Sequence, residues 1–406
     1  MIHVCFGLYD KTGHYSKFTG TAMLSLFDNT NAEVTVHILH DNTVSAANRN
    51  KFIQLAERYN QRVEFYNIEE LCADKISEII KTFPNAKKTR YSIAMFYRLF
   101  AWEIFPQEIG KVIYLDSDIV VNLDIKELWQ IELGKKPVSV VPESSNGVPV
   151  IERFALCQEG IVKVEDYFNS GVLSINLKVF REEKEKIIRG IKFISENPQH
   201  NHSDQDILNY CFAARALKLP TKFNRFTTRA RGAKEMVEQK IYHYVATQIG
   251  FGVGLDMKDI FNRLWMNYFI KTPWFDENSI GRLYEGVQRL HVELKAAMVQ
   301  LSALMSGKTR AFFVMPEDIE MLKIFFAMRD DEEVILAETQ HSLRELIDAM
   351  RRSRGKKIFF IIVANFPFNM LTEAGFINGK DFLNGLEFFS EANGMPLNSY
   401  ELIKAM

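Results

Sequence analysis

Cysteine is scarce in this chain. Only Cys5, Cys72, Cys157 and Cys211 occur among 406 residues, widely spaced and with no C-x-x-C pair. They read as core residues of a reduced, cytosolic protein rather than as a disulfide framework. Net charge is also lacking. With 50 basic and 51 acidic residues the formal balance is −1, so no global field draws the chain to nucleic acid or to an anionic membrane. Long apolar runs are absent too, and the longest, such as 358–366, are far too short to span a bilayer. At most peripheral membrane contact is expected. The opening Met1-Ile2-His3-Val4-Cys5-Phe6-Gly7 has neither the basic nor the apolar region of a signal peptide. The expected location is the cytoplasm, including the inner face of the cell membrane. No low-complexity segment, Pro/Ser-rich linker or fixed-period repeat interrupts the chain. What remains is an ordinary globular composition, 47% hydrophobic, with ample core for two domains.

Up to about residue 270, short apolar runs alternate with helical patterns. Ile2–Phe6, Val34–Leu39, Arg62–Ile68 and Lys111–Asp116 read as strands, and Thr19–Phe27, Ser45–Tyr59 and Tyr91–Ile104 as helices. Such alternation predicts an α/β fold with a mainly parallel sheet, whose ligands lie beyond the carboxyl ends of the strands. The pattern changes near Pro273-Trp274, which divides the chain into a domain over 1–274, a linker helix within 275–306 and a small α/β domain over 307–406. In the linker, Val287, Leu290, Leu294, Ala297, Leu301 and Leu304 step by three and four. An amphipathic helix lying on its own domain is favoured over a dimer seam, and a homodimer is the alternative. The last domain reads as a three-stranded unit with strands Arg310–Met315, Glu333–Glu338 and Lys357–Ala364, and helices Glu317–Ala327, Ser342–Arg352 and Asn369–Ala374. No glycine-rich loop follows its strands, so no nucleotide is assigned to it. Acceptor or partner binding is its expected role.

The most informative stretch is Lys111-Val112-Ile113-Tyr114-Leu115-Asp116-Ser117-Asp118-Ile119-Val120-Val121. Two carboxylates two residues apart in an apolar run are costly unless a cation pairs with them. On extended backbone they project to one side and can share one ion. Oxygen ligands suit Mg²⁺ or Mn²⁺, which grip phosphates. The tripeptide alone also fits a solvated turn. Phe168-Asn169-Ser170-Gly171-Val172 sets a versatile amide and a glycine before another strand. In His202-Ser203-Asp204-Gln205-Asp206 the Ser and Asp residues are natural helix caps, so a purely structural role is credible. His243 is a lone histidine in an apolar strand, a setting more common for a satisfied core residue than for a ligand. His200 and His202 fit a solvated loop or an acceptor contact better than a second metal site.

Together, Leu115-Asp116-Ser117-Asp118, Phe168–Val172, Asp204-Gln205-Asp206-Ile207-Leu208-Asn209 and His243, in this order, resemble glycosyltransferase family 8 over about residues 1–274. The start Gly7-Leu8-Tyr9-Asp10 and the helix around Met23–Phe27 look like the nucleotide-facing start of that family. The resemblance implies a GT-A-type domain and a retaining hexosyltransferase. Its donor would be UDP-glucose or UDP-galactose, and its acceptor a glycan, glycolipid or glycoprotein. Asp116, Asp118 and His243 would hold Mn²⁺, with Mg²⁺ as the alternative. Asp10, Arg98, Ser117 and Gly171 would join the Asp pair in binding the donor. For Arg98 an exposed helix charge is an equal reading. Asn169 and Asp204 would hold donor sugar and acceptor hydroxyls, and Gln205 would lie near the reacting face. One departure stands out. The family pattern H-x-x-G-x-x-K-P-W places Gly and Lys where this chain has Ala246 and Ile249, so the diphosphate-clamping Lys is missing. Lys258 and Lys271 are candidate substitutes. The alternatives are a sugar nucleotidyltransferase, against which Cys5–Asp10 offers no glycine-rich basic loop, and a degenerate, non-catalytic sugar-nucleotide binder.

Overall fold

The computed structural model describes residues 1–11, 13, 15–82, 93–245, 258–276, 299, 302–316, 319, 328–329, 332–338, 340–364 and 367–385. The chain forms two compact units, residues 1–250 with 257–276, and residues 251–256 with 277–406.

The first unit is built on a seven-stranded sheet. Its strands are β1 (Ile2–Leu8), β2 (Val34–His40), β3 (Arg62–Asn67), β4 (Lys111–Leu115), β6 (Val138–Val140), β7 (Val172–Asn176) and β8 (Leu217–Lys218), in the order β3-β2-β1-β4-β7-β6-β8. From β3 to β4 the pairing is parallel. Helices cover both faces there, so β2 is buried at every position, its polar Thr35, His37 and His40 included. On β1, Val4, Phe6 and Leu8 face a core that includes the helix Ser16–Asn29, while Cys5 faces the opposite core with Tyr97 and Leu99. The connecting helix Ala46–Arg58 starts where the Ser45 side chain accepts from Asn48 N.

The expected parallel order stops at β7, which runs antiparallel to β4 and β6. That reversal brings the loop before β7 alongside the end of β4, with Leu115 opposite Val172. A second, three-stranded sheet, β5 (Ile119–Val121), β10 (Ile241–His243) and β9 (Arg225–Phe226), lies in the order β5-β10-β9. It pairs His243 with Ile119. Asp116 and Asp118 thus occupy the bend between two strands in different sheets, and each sheet delivers a different partner to them. The helix expected over Tyr91–Ile104 is a 3₁₀ helix over Ile93–Phe100 followed by one turn of α-helix, Ala101–Ile104; Tyr91 lies outside the described residues.

The second unit holds a parallel sheet, β12-β11-β13-β14, of β11 (Thr309–Val314), β12 (Glu333–Leu336), β13 (Ile358–Val363) and β14 (Phe382–Asn384). Sequence reading missed β14, a three-residue strand too short to show a period. Ala311, Phe313, Phe360 and Ile362 pack against Leu346 and Met350 of the helix Gln340–Arg352. Of the linker helix expected over 280–305 only 299 and 302–305 are described, and the helix expected over Glu317–Ala327 lies almost wholly outside the described residues. No helix among the described residues is long and apolar enough to cross a membrane.

Candidate active site

Asp116, Asp118 and His243 offer ligand atoms that all lie within 4.8 Å of one another. His243 Nε2 stands 3.2 Å from Asp118 Oδ1 and 3.8 Å from Asp116 Oδ2. The imidazole is oriented from behind. Its Nδ1 is 3.0 Å from Asn224 Oδ1, and Asn224 Nδ2 donates to Asn169 Oδ1 at 2.9 Å. With the Asn224 amide nitrogen spent on Asn169, its oxygen faces His243, so Nδ1–H donates and Nε2 is left for the carboxylates. Metal-binding histidines are held in this way by a second shell. Burial opposes charge on this ring, but Asp118, by charge and hydrogen bond, and Asp116 prevail and raise the His243 pKa above its ordinary value. For Asp118, burial works to raise the carboxyl, yet His243 holds it below the usual range. The pair is thus a site that holds positive charge between two carboxylates. Two carboxylates and an imidazole are a donor set that could hold a divalent metal ion. Room for the cluster depends on Gly171, where a Cβ would lie 2.3 Å from His243 Cε1 and 2.7 Å from Asp116 Oδ2.

Arg98 is buried rather than an exposed helix charge. Its Nη2 donates to Asp116 Oδ1 at 2.8 Å, its Nη1 to Ser170 O at 2.5 Å and its Nε to Met95 O at 3.0 Å. The guanidinium lies over the Tyr114 ring at 4.0 Å, and Nε is 3.4 Å from Asp204 Oδ2. One cation therefore joins the Asp116 side of the site to the Asp204 side. Burial pushes the Asp204 carboxyl up to about 6, against the lowering effect of Arg98.

Asn169 and Gln205 are locked to one another. Asn169 Oδ1 accepts from Gly171 N at 2.9 Å, and its Nδ2 donates to Gln205 Oε1 at 3.1 Å and to Glu143 Oε1 at 3.4 Å. Gln205 Oε1 also accepts from Ser170 N at 3.1 Å, while its Nε2 donates to Glu143 Oε1 and to Tyr167 Oη, both at 3.3 Å. Every polar group of Asn169 is thus engaged by protein. Ser117 is buried, with its Oγ 2.7 Å from Thr19 Oγ1. Asp10 is buried as well. Its carboxylate accepts from Tyr15 N at 2.6 Å, from Ser16 Oγ and from Asn48 Nδ2 at 2.8 Å. Asn48 Oδ1 in turn accepts from Trp274 Nε1 at 3.0 Å, and the Trp274 ring fills the place where a Cβ on Gly20 would sit at 2.2 Å.

Two residues escaped sequence reading. Asn224 is fully buried and joins His243 to Asn169. Glu143 is buried beside Gln205, and its Oε2 has no hydrogen-bond partner among the described residues. Burial pushes its carboxyl up, above the ordinary range. Glu143 opens a short 3₁₀ helix, Glu143–Asn146, and Asn224 follows another, Thr221–Phe223, and segments this short carry no spacing signal. His200 is buried instead of lying on a solvated loop, with Nε2 3.3 Å from Glu159. Among the described residues the only cluster of three potential metal ligands is Asp116, Asp118 and His243. Ala246 and Ile249, where the sequence departs from the family pattern, lie outside the described residues, as do Gly250, Gly252 and Gly254.

Comparison with known proteins shows what the chain is similar to. The chain is 28% identical over 191 residues to a lipopolysaccharide 1,2-glucosyltransferase of Escherichia coli, covering 47% of this chain and 52% of that protein. It is 26% identical over 202 residues to a lipopolysaccharide 1,3-galactosyltransferase of Salmonella typhimurium, covering 49% and 56%. The chain therefore spans about half the length of these curated relatives. The galactosyltransferase LgtC, solved with donor and acceptor sugar analogs, superposes with a TM-score of 0.52 at 21% identity, over 69% of this chain and 99% of that one. That likeness shows the GT-A fold. The model of Glycosyl transferase family 8 matches residues 8–248, a span that holds every side chain of the metal cluster and of the Arg98–Asp204–Gln205 network. The chain belongs to glycosyltransferase family 8.

Proposed function

We propose that this protein is a retaining hexosyltransferase that moves glucose or galactose from a UDP-sugar to a glycan, glycolipid or glycoprotein acceptor, and that it depends on Mn²⁺. The observation that carries this reading is the convergence of Asp116, Asp118 and the Nε2 atom of His243, with Asn224 fixing the ring from behind. A bound Mn²⁺ would supply Lewis-acid stabilisation of the departing UDP. The protein's own residues do the rest. Arg98 is held between Asp116 and Asp204, a fixed guanidinium suited to a phosphate or sugar oxygen. Gln205 is a neutral amide, a poor nucleophile, which favours attack from the leaving-group face. In that scheme the acceptor hydroxyl passes its proton to the leaving phosphate oxygen. Electrostatic stabilisation by prepositioned groups is the main contribution. Glu143 Oε2, unpartnered among the described residues and next to Gln205, suits a hydroxyl of the acceptor. Asp10 would serve the nucleoside end. The second unit would engage the acceptor or a partner, and the enzyme would work in the cytoplasm.

The test is UDP release from a panel of UDP-sugars with and without Mn²⁺. Activity should need the ion and fall at least about a hundredfold in Asp118→Ala, as when a main electrostatic stabiliser is lost. Full activity in EDTA would refute metal dependence, and a β linkage from an α donor would refute retention. The substitution of the clamping Lys by Ile249 supports a second reading, a binder without turnover. UDP-sugar binding with no UDP release from any donor would favour it.

A further inference from the structure

The helix Gln340–Arg352 of the second unit runs directly into a concentrated basic segment, Arg351-Arg352-Ser353-Arg354-Gly355-Lys356-Lys357. The overall chain is nearly neutral, so five cations in seven residues are a local feature. The segment does not dissolve into ion pairs. Arg351 is 3.4 Å from Asp348, but among the described residues Arg352, Arg354, Lys356 and Lys357 have no acidic partner. The segment turns back into β13 and forms one wall of a cleft of about 240 Å³. The other wall is the turn before β14. Arg354, Lys356 and Lys380 line the cleft, with Phe376, Ile377 and Asp381.

The cleft is built rather than incidental. Arg354 Nη2 donates to Ala374 O at 2.7 Å, and the guanidinium lies 5.1 Å over the Phe376 ring. Its remaining N–H groups are held in place, which favours planar recognition of an oxyanion. Gly375 turns the chain at φ +82°, the left-handed region that favours glycine. Asp381, an acid that lines the cleft, has its Oδ2 taken by Ile377 N at 2.8 Å. Lys380 carries no ion pair among the described residues. Three cations therefore face one carboxylate that is already engaged. The cleft opens at the amino ends of β13 and β14, opposite to the end where open α/β sheets bind nucleotides, and its volume lies below the usual range for small-molecule pockets. A headgroup-sized anion fits these limits.

We propose that this cleft is a phosphate-group site, in which Arg354, Lys356 and Lys380 take a phosphomonoester or phosphodiester. The chemistry is shared by two sources, an anionic lipid headgroup and a phosphate carried on a soluble molecule. Ile377, 54% exposed at the rim, is an apolar group that a lipid surface would cover.

The experiment uses the full chain at low salt. Partition onto vesicles of phosphatidylglycerol in phosphatidylcholine is measured by sedimentation, and glycerol phosphate is titrated by calorimetry. Lys356→Glu/Lys380→Glu is compared with wild type and with a control, Lys178→Glu/Lys184→Glu, which removes two exposed cations of the first unit. At about 1 kcal/mol per surface cation, loss of the two lysines alone should weaken binding about thirtyfold, so the charge-reversed cleft variant should weaken it at least that much while the control stays near wild type. Arg354→Gln should weaken it as well. Loss on vesicles alone identifies the lipid as the source, and loss with glycerol phosphate identifies the soluble group. The proposal is overturned if neither probe binds wild type above a pure phosphatidylcholine background, or if the control loses as much as the cleft variant. Should the double variant not fold, the single Lys380→Glu carries the test. UDP release without acceptor should be unchanged in each cleft variant, so failure here leaves the transferase reading standing.

Discussion

Replacing Gly171 with alanine should dismantle the proposed metal site through a single methyl group. The new Cβ would lie 2.3 Å from His243 Cε1 and 2.7 Å from Asp116 Oδ2. Non-bonded carbons rest at about 3.5–4.0 Å, so the imidazole must retreat by roughly 1 Å. Such a retreat strains the 3.0 Å contact between His243 Nδ1 and Asn224. The backbone cannot yield cheaply instead. Gly171 O accepts from Asp116 N at 2.8 Å, and Gly171 N is held by Asn169. Overpacking of this kind costs about 1–3 kcal/mol, which a domain of this size survives. The functional loss should be larger. Misplacing a reacting or ligating group by about 1 Å can cost a hundredfold in rate, and disturbing the support of a metal ligand costs about 10–100-fold in affinity. Mn²⁺ titration followed by electron paramagnetic resonance should show that weakening, beside a thermal melt showing that the fold persists. A Gly171→Ala variant that binds Mn²⁺ and releases UDP like the wild type would sink the argument that the glycine is required by the ion cluster.

Asn224→Ala should lower Mn²⁺ affinity about 10–100-fold while leaving the three ligands in the sequence, because it frees the His243 ring; unchanged affinity would show that the ring needs no such support. Glu143→Gln should leave UDP release without acceptor near wild type and depress transfer to a sugar acceptor, read as a rise in acceptor KM. Equal loss in both assays would place Glu143 on the donor side. His37 supplies a pH dependence of stability. Burial, partly countered by Glu64, lowers its pKa to about 4, so below about pH 6.5 the unfolded chain takes up a proton that the folded chain refuses. The contribution is complete above about pH 6.5 and falls away toward pH 4, by up to about 3 kcal/mol. Urea midpoints measured across that window should fall with pH, and His37→Leu should flatten the slope. A slope unchanged in that variant would assign it to other groups.

The legible parts of the fold were those in which one physical demand dominates a run of residues. β2 is buried throughout and mixes Val34, Val36, Ile38 and Leu39 with Thr35, His37 and His40, while β4 is buried on both faces after Lys111 and so reads as the apolar run Val112-Ile113-Tyr114-Leu115. Asp116 and Asp118 stood out because charge in such a run needs an explanation. Arg98 was read too evenly. The surrounding Ile93-Ala94-Met95-Phe96-Tyr97 and Leu99-Phe100 are apolar on all sides, the mark of a buried helix, and the arginine inside must therefore have a counter-ion. Asn224 and Glu143 could not be found in this way. Glu143 does its work through two contacts and Asn224 through three, with residues 19 to 78 positions distant, and nothing local distinguishes them from ordinary polar residues. The antiparallel turn at β7 was hidden for a related reason, because strand direction depends on the route of the connection and not on the letters of the strand.

Trp274 has a consequence for where the first unit can be cut. Its ring is set against Gly20 and Phe52, and its indole N–H reaches Asp10 through Asn48. One of the last residues of the first unit is therefore tied to one of its first, through the hydrogen-bond chain Trp274–Asn48–Asp10. A splice or truncation that removed Trp274 would take away the donor to Asn48 and the ring packed on Gly20, and so would loosen the residues that hold Asp10 in place.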